Sequence, residues 1–391
     1  MTHNWTYKKL GEVGQVITGS TPTTKDERNY SSKDVCFFKP SDFSSEKLTE
    51  LASSEFYISS YAYEHSRKLP KDSVLTTCIG IIGKVGILTA DATCNQQINA
   101  IIPNKEIIVP RFLGYSIISI KGLLSERANA PVVPLLNKSQ FSSIEIPIPS
   151  LLEQESIVAE LDAINHLIDL QEKQLREYDR LAQSLFYSTF GDPTNNPKGW
   201  EVKKLSDVVS EECKMSYGIV QPGDDIEDGV PVVRPIDFKD SEYIQRKGLK
   251  KTLPSISDSY KRTILRGDEI LICVRGTTGT MGLATPELKG CNVTRGIVPL
   301  YFRNEMNKWF MYKYLKSNFA QNIIAENTYG ATLKQINISA LRSIPIMCPP
   351  LALQQTFAAQ IEAIEQQKAL IRRSLDETRT LLAARMQYYF E

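Results

Sequence analysis

The sequence predicts an α+β protein made of two copies of one unit, each a β-rich head followed by a long helix, with the two helices paired antiparallel as a coiled coil. Three observations carry that reading. Landmarks recur in the same order in both halves of the 391 residues. The composition changes abruptly after Pro149 and again after Pro350. Beyond those two points, apolar residues keep an alternating three- and four-residue spacing.

The repeat fixes the order of elements. Trp5 with Lys8-Lys9-Leu10 returns 195 residues later as Trp200 with Lys203-Lys204-Leu205. At the same offset Lys39-Pro40-Ser41-Asp42-Phe43 returns as Arg234-Pro235-Ile236-Asp237-Phe238. Asp72 with Gly80, Gly83 and Gly86 matches Asp268 with Gly276, Gly279 and Gly282. Ile146-Pro147-Ile148 then matches Ile344-Pro345-Ile346, and Leu151 through Gln154 matches Leu351 through Gln354.

The first block, residues 1–150, and its counterpart, 192–349, are rich in Val, Ile, Tyr, Phe and Thr punctuated by Gly, Pro, Asn and Asp. That pattern predicts short strands and turns with few helices. The segments 151–191 and 350–391 are the helices. In the first, Ile157, Leu161, Ile164, Ile168, Leu175, Tyr178, Ala182 and Leu185 form a seam interrupted at Gln171. In the second the seam runs through Phe357, Ile361, Ile364, Ile371, Leu375 and Leu382, and it admits Lys368, Thr378 and Arg385. About forty helical residues span roughly 60 Å, and a helix apolar along one narrow seam needs a partner. The repeat mate is the obvious one. A two-fold relation between the copies makes the pair antiparallel, puts the heads at opposite ends of the helices and brings the C-terminus back toward the N-terminus.

Composition narrows the function. Lys+Arg 46 against Asp+Glu 45 leaves +1, which excludes a polycationic nucleic-acid coat but not a locally basic face. Seven cysteines without a C-x-x-C pair indicate neither a disulfide framework nor a structural zinc site. The N-terminus lacks a signal-peptide pattern, and the apolar stretch Phe112 to Leu124 is too short to span a membrane and is broken by Lys121. A cytoplasmic protein is expected.

Catalytic machinery is missing from the sequence. Gly80-Ile81-Ile82-Gly83-Lys84 lacks the spacing of a phosphate-cradling loop, and no G-x-G-x-x-G leads from a strand into a helix. No Asn/Asp-Pro-Pro-Tyr/Phe run of the amino-methyltransferase kind occurs. His3, His65 and His166 stand apart, and Asp224-Asp225 and Asp268-Glu269 read as turn or solvated groups. No catalytic, cofactor or metal residue is assigned.

Two features suit binding. The glycine series reads either as hairpins needing positive φ or as close backbone approach to a ligand, and the second copy adds Arg275, Thr277 and Thr278. Asn95-Gln96-Gln97 and the corresponding Asn292-Val293-Thr294-Arg295 can contact base edges or can be strand-end polar groups. The candidate contact residues in the first head are Ser20, Thr21, Lys25, Lys39, Asn95, Gln96, Gln97, Asn99 and Lys138. In the second they are Lys214, Ser216, Tyr217, Arg234, Arg275, Thr277, Thr278, Thr294, Arg295 and Lys334. Lys39 and Arg234, as repeat mates, fit a shared structural salt bridge equally well.

Two variable blocks, each opening with W-x-x-K-K-L and closing with a Pro-rich step before a long helix, resemble the specificity subunit of type I restriction-modification enzymes. The likeness covers the whole chain and is carried by Ile146-Pro147-Ile148-Pro149-Ser150-Leu151-Leu152-Glu153-Gln154. The second copy departs from it after Ile346, with Met347-Cys348-Pro349-Pro350 leading to Leu351-Ala352-Leu353-Gln354-Gln355. The resemblance implies that each head is a target recognition domain for one half of a bipartite, asymmetric, gapped sequence in double-stranded DNA. It implies that the helices dock two methyltransferase subunits, with two restriction subunits joining the full nuclease. AdoMet, ATP and magnesium then belong to those partners. It also implies a ruler: one more helical turn of ~5.4 Å in each helix should widen the gap by about one or two base pairs. A specificity subunit whose partner combines methylation with cleavage, a stand-alone bipartite DNA-binding protein, and a scaffold joining two protein-binding heads remain open on the sequence.

Overall fold

The computed structural model describes residues 5–45, 47–128, 133–213, 215–238, 242–331 and 333–390. The chain forms two compact units, residues 1–172 with 373–391 and residues 173–372. Each contains one head together with a part of each long helix. No helix among the described residues is long and apolar enough to cross a membrane.

In the first unit the opening motif and the closing Pro-rich step form a single clasp. Strand Thr6–Lys9 pairs antiparallel with Glu145–Ile148, Lys8 opposite Ile146, and Leu10 turns inward into the core. The main sheet orders its strands Gly14–Thr18, Ile98–Pro103, Val74–Thr77, Val85–Leu88 and Thr49–Leu51. Strand Val35–Phe38 pairs antiparallel with Tyr57–Ile58 and parallel with Thr93–Cys94.

The heads hold more helix than their composition predicts. The stretch Phe112 to Leu124, too short for a membrane, lies in helices Pro110–Ser119 and Lys121–Arg127. Phe112, Leu113 and Ile117 of the first helix and Leu124 of the second are buried in the head's core. A short helix buried over six consecutive residues shows no one-face period, which is why strand composition misled here.

The second unit repeats the plan. Val202–Lys204 pairs antiparallel with Pro345–Met347. Ile270–Cys273 lies between Met281–Leu283 and Ile297–Leu300. Val230–Val233 pairs antiparallel with Lys250–Thr252 and parallel with Asn292–Val293. Helices Lys308–Lys316 and Asn318–Glu326 close the core.

The central helix, Leu151–Phe190, and the terminal helix, Leu351–Phe390, have 40 residues each. The central helix starts with a capping box, Ser150 NH and hydroxyl donating to Glu153, with Glu153 NH returning to Ser150 Oγ. Pro350 and Leu353 replace both residues at the start of the terminal helix. Within the first unit Glu160 meets Arg385 and Tyr389, while Glu172 meets Arg379. Numbers that rise along one helix fall along the other, so the pair is antiparallel. The polar interruptions of the seam find each other: Gln171 donates to Ser374 and Thr378 at 2.9 and 3.4 Å. In the second unit the rings of Phe186 and Phe190 lie 5.9 and 5.1 Å from Phe357 while Lys368 donates to Asp179, again antiparallel. The last turn of the terminal helix, with Met386, Tyr389 and Phe390, packs on the first head's core, as does Trp5.

Candidate nucleic-acid interface

At one end of each head, five extended segments lie side by side. In the first, Ser20 NH donates to Cys94 O, Asn95 NH to Phe38 O, Cys78 NH to Gln97 O and Leu136 NH to Cys78 O, at 2.8 to 3.0 Å. In the second, Ile219 NH donates to Val293 O, Thr294 NH to Val233 O, Val274 NH to Gly296 O and Ile336 NH to Val274 O, at 2.7 to 3.0 Å. The glycine hairpins close onto the same ladder, Gly80 NH donating to Pro134 O and Gly276 NH to Lys334 O. Both hairpins turn on left-handed glycines, Gly80 and Gly83 at φ 77° and 80°, Gly276 and Gly279 at 83° and 84°, a region that side chains disfavour. Gly86 and Gly282 serve packing instead, because an added Cβ would stand 2.7 Å from Leu51 Cδ1 and 2.5 Å from Ile244 Cδ1.

This ladder gathers Ser20, Thr21, Lys39 and Asn95 to Gln97 in the first head, with Lys138 two residues past it on an exposed helix start. Lys25 is exposed farther along the loop from Thr21. In the second it gathers Tyr217, Arg234, Arg275, Thr277, Thr294, Arg295 and Lys334, with Ser216 and Thr278 beside them. Lys214 lies outside the described residues.

The side chains divide into held and free. Asn95 and Asn99 are buried, so neither faces a ligand as the sequence reading expects. Asn95 donates to Gln97 Oε1 at 2.8 Å, and Asn99 accepts from Thr18 and donates to Leu136 O. Buried amides must be satisfied internally, and these are. Lys39 and Arg234 share a cap, their backbone NH groups donating to Asp42 and Asp237 at 2.7 and 2.8 Å. Only Arg234 adds the salt bridge, forking onto Asp237, whereas the Lys39 ammonium lies 3.1 Å from the centre of the Phe56 ring. Tyr217 Oη accepts from Ile338 NH, and Thr278 Oγ1 accepts from Thr328. Thr21 donates to Gln96 Oε1. Among the described residues, Arg275 Nε is buried without a hydrogen-bond partner.

Residues 2–178 and again 197–378 match the type I restriction modification DNA specificity domain. The chain belongs to this family. It is 27% identical to the type I restriction enzyme MjaIX specificity subunit of Methanocaldococcus jannaschii, over 92% of this chain and 87% of that protein. It is 21% identical to the EcoBI specificity subunit of Escherichia coli, over 73% of this chain and 66% of that one. Its fold is similar to the crystal structure of the type I restriction-modification S subunit from M. genitalium, with a TM-score of 0.60 at 13% identity, covering 100% of this chain and 98% of that chain. A second solved chain, from work on complex assembly and conformational transition of the type I system, aligns with a TM-score of 0.58 at 20% identity, over 100% of this chain and 97% of that one.

Within this specificity-domain framework, one set of exposed apolar residues beside the ladder escaped the sequence reading. Ile81 and Ile236 are 60% and 75% exposed at the ladder ends, and Val133, Leu135 and Leu333 are exposed there too. Apolar residues in a β-rich block read as core, and only their flanking glycine and proline turns hinted otherwise. Among the described residues no group of three His, Cys, Asp or Glu side chains could hold a metal ion.

Proposed function

We propose that this chain is the non-catalytic DNA specificity subunit of a type I restriction-modification enzyme. Each head, residues 1–150 and 192–349, is a target recognition domain that engages one half of a gapped duplex target through its ladder end. The helical segments 151–191 and 350–391 space the heads and carry two modification subunits, joined by two restriction subunits in the full nuclease. AdoMet, ATP and magnesium act on those partners. The observation that carries this reading is the doubling: two matches to one specificity domain in one chain, with equivalent ladder ends dressed in different side chains. Different dressing on the same frame calls for two unlike half-sites, hence an asymmetric target.

In this proposal the exposed cations near the ladder, Lys25, Lys138 and Lys334, neutralise phosphates, while Ser20, Thr21, Gln96, Gln97, Ser216, Tyr217, Arg275, Thr277, Thr278, Thr294 and Arg295 meet base edges or sugars. Lys39 and Arg234 sit where they would fix the path of the backbone, and Lys214, outside the described residues, is proposed as a contact from the sequence alone. Replacing Lys334 by Ala should weaken binding to every sequence alike and lower the salt slope by about one.

The experiment is a methylome of the native strain with and without this gene. Loss of one asymmetric, gapped, adenine-methylated motif on deletion is the expected result. An unchanged methylome, together with no salt-dependent DNA binding by the assembled complex, would sink the proposal.

A further inference from the structure

We infer that the two heads read different base pairs from one shared position, Gln96 directing the first half-site to adenine and Arg295 directing the second to guanine. This rests on the DNA-specificity reading above and goes beyond it by naming the base each head prefers. Sequence likeness sets Asn95 against Asn292, but the strand register shifts the match by two residues. Phe38 pairs with Cys94 as Val233 pairs with Val293. On the far side of the turn, Thr77 pairs with Ile98 as Cys273 pairs with Ile297. The turns between these pairs have equal length, so Asn95 corresponds to Thr294 and Gln96 to Arg295. Asn292 corresponds to Thr93 and is buried, its amide spent on Ser257 and Thr263.

Gln96 and Arg295 are the exposed residue of their turns. Thr21 donates to Gln96 Oε1 and so fixes the amide plane while leaving the NH₂ and a second lone pair free. An amide offering one donor and one acceptor matches the N7 and N6 edge of adenine. Arg266, Arg303 and Arg234 of the second head are committed to Glu212, Glu211 and Asp237. Nothing of the kind engages the Arg295 guanidinium among the described residues, so its fork is available to the O6 and N7 pair of guanine. The neighbours on the ladder follow the same division. Ile79 bridges Leu135 where Arg275 bridges Gln335. The first head thus offers an exposed Leu135, suited to a thymine methyl, and the second offers a further cation.

The test is enrichment of bound duplexes from a randomised library by the full chain assembled with its modification subunits. Wild type, Gln96→Arg, Gln96→Ala, Arg295→Gln and Arg295→Ala are compared. Arg295→Gln should lower the preference for G·C at one position of one half-site by ~10-fold or more, leaving the other half-site intact. Gln96→Arg should move one A·T position of the other half-site toward G·C, and both Ala variants should relax their position. An enriched motif that is the same in wild type and all variants overturns the inference while leaving the specificity role standing. No enrichment by wild type overturns the specificity role, and the inference falls with it.

Discussion

At the seat where the first head rests on the helices, Tyr115 donates to Asp162, and Arg111 donates to the same carboxylate through Nη2 and to Glu50 through Nη1. The second head uses the same frame with other chemistry. Val109 NH donates to Gln154 Oε1 at 2.8 Å, and Asn307 NH donates to Gln354 Oε1 at 2.8 Å, so Lys313 stands in the place of Tyr115, and Glu365 in that of Asn165, which donates to Tyr115 Oη at 3.2 Å. There Lys368, with a side chain 1% exposed, reaches Glu365 at 3.0 Å and Asp179 at 2.7 Å, and Lys313 reaches Glu365 and Glu242 at 3.2 and 3.4 Å. Among the described residues, one oxygen each of Glu242 and Glu365 and the Tyr312 hydroxyl lack hydrogen-bond partners, as does Arg111 Nε at the first seat. The first seat is a polar contact near a third exposed, with Arg111 at 32% and Asp162 at 31%. The second is a buried charge network that works only when complete, since a charge left alone away from water costs far more than a pair adds.

The largest effect follows from that asymmetry. Lys368→Met takes from the buried Glu365 the nearer of its two cations, leaving Lys313, and should lower stability by ~3 kcal/mol in urea unfolding of the full chain. A companion Glu365→Met should restore part of the loss. A penalty below ~1 kcal/mol would mean that water reaches the cage and that the two seats are alike.

Next come the shared clamps. Gln154 also donates to Ile107 O and Pro149 O, and Gln354 to Glu305 O and Pro349 O. Truncation to Ala leaves three backbone groups unpaired in each case, so Gln154→Ala and Gln354→Ala should each cost ~2–3 kcal/mol. Nearly equal penalties would place the difference between the units in the seats. Unequal ones would move it into the frame. Arg111→Met at the exposed seat should cost only about 1 kcal/mol by the same measurement.

What the sequence disclosed follows the physics of each region. The glycine hairpins and the helix starts were legible because each needs a particular residue type, a left-handed glycine or a Pro-rich step before the helix, whereas the pairing of that step with the opening motif was not. The seam impurities Gln171, Thr378, Lys368 and Arg385 were legible as departures from apolar spacing, but their partners were not. Gln171 meets Thr378 across 207 residues and Lys368 meets Asp179 across 189, distances that helical period does not encode. The match of Gln96 to Arg295 was hidden for a related reason. Strand register is set by hydrogen bonds, and two Asn residues in similar surroundings outweighed it to the eye.

Acid separates the units by the smallest margin. Glu160 is held below the usual carboxylate range by hydrogen bonds from Arg385, with burial opposing and Tyr389 assisting. Burial would push Glu242 up, but Lys313 and Lys316 outweigh it and bring the carboxyl to about 2. Both folded values lie below the unfolded ones, so each contributes stability above the unfolded pKa that is lost as pH falls through the folded pKa. Glu365 runs the other way: burial and the facing Glu242 raise it, so its contribution is complete below the unfolded pKa and is lost as pH rises through the folded one. Lowering the pH from neutrality should therefore loosen the Glu160 contact while protonation of Glu365 relieves the cage. The stability penalty of Glu160→Gln, measured against wild type, should vanish on acidification before that of Glu242→Gln, which should persist until the pH nears 2. The reverse order would show that Lys313 and Lys316 do not govern the cage.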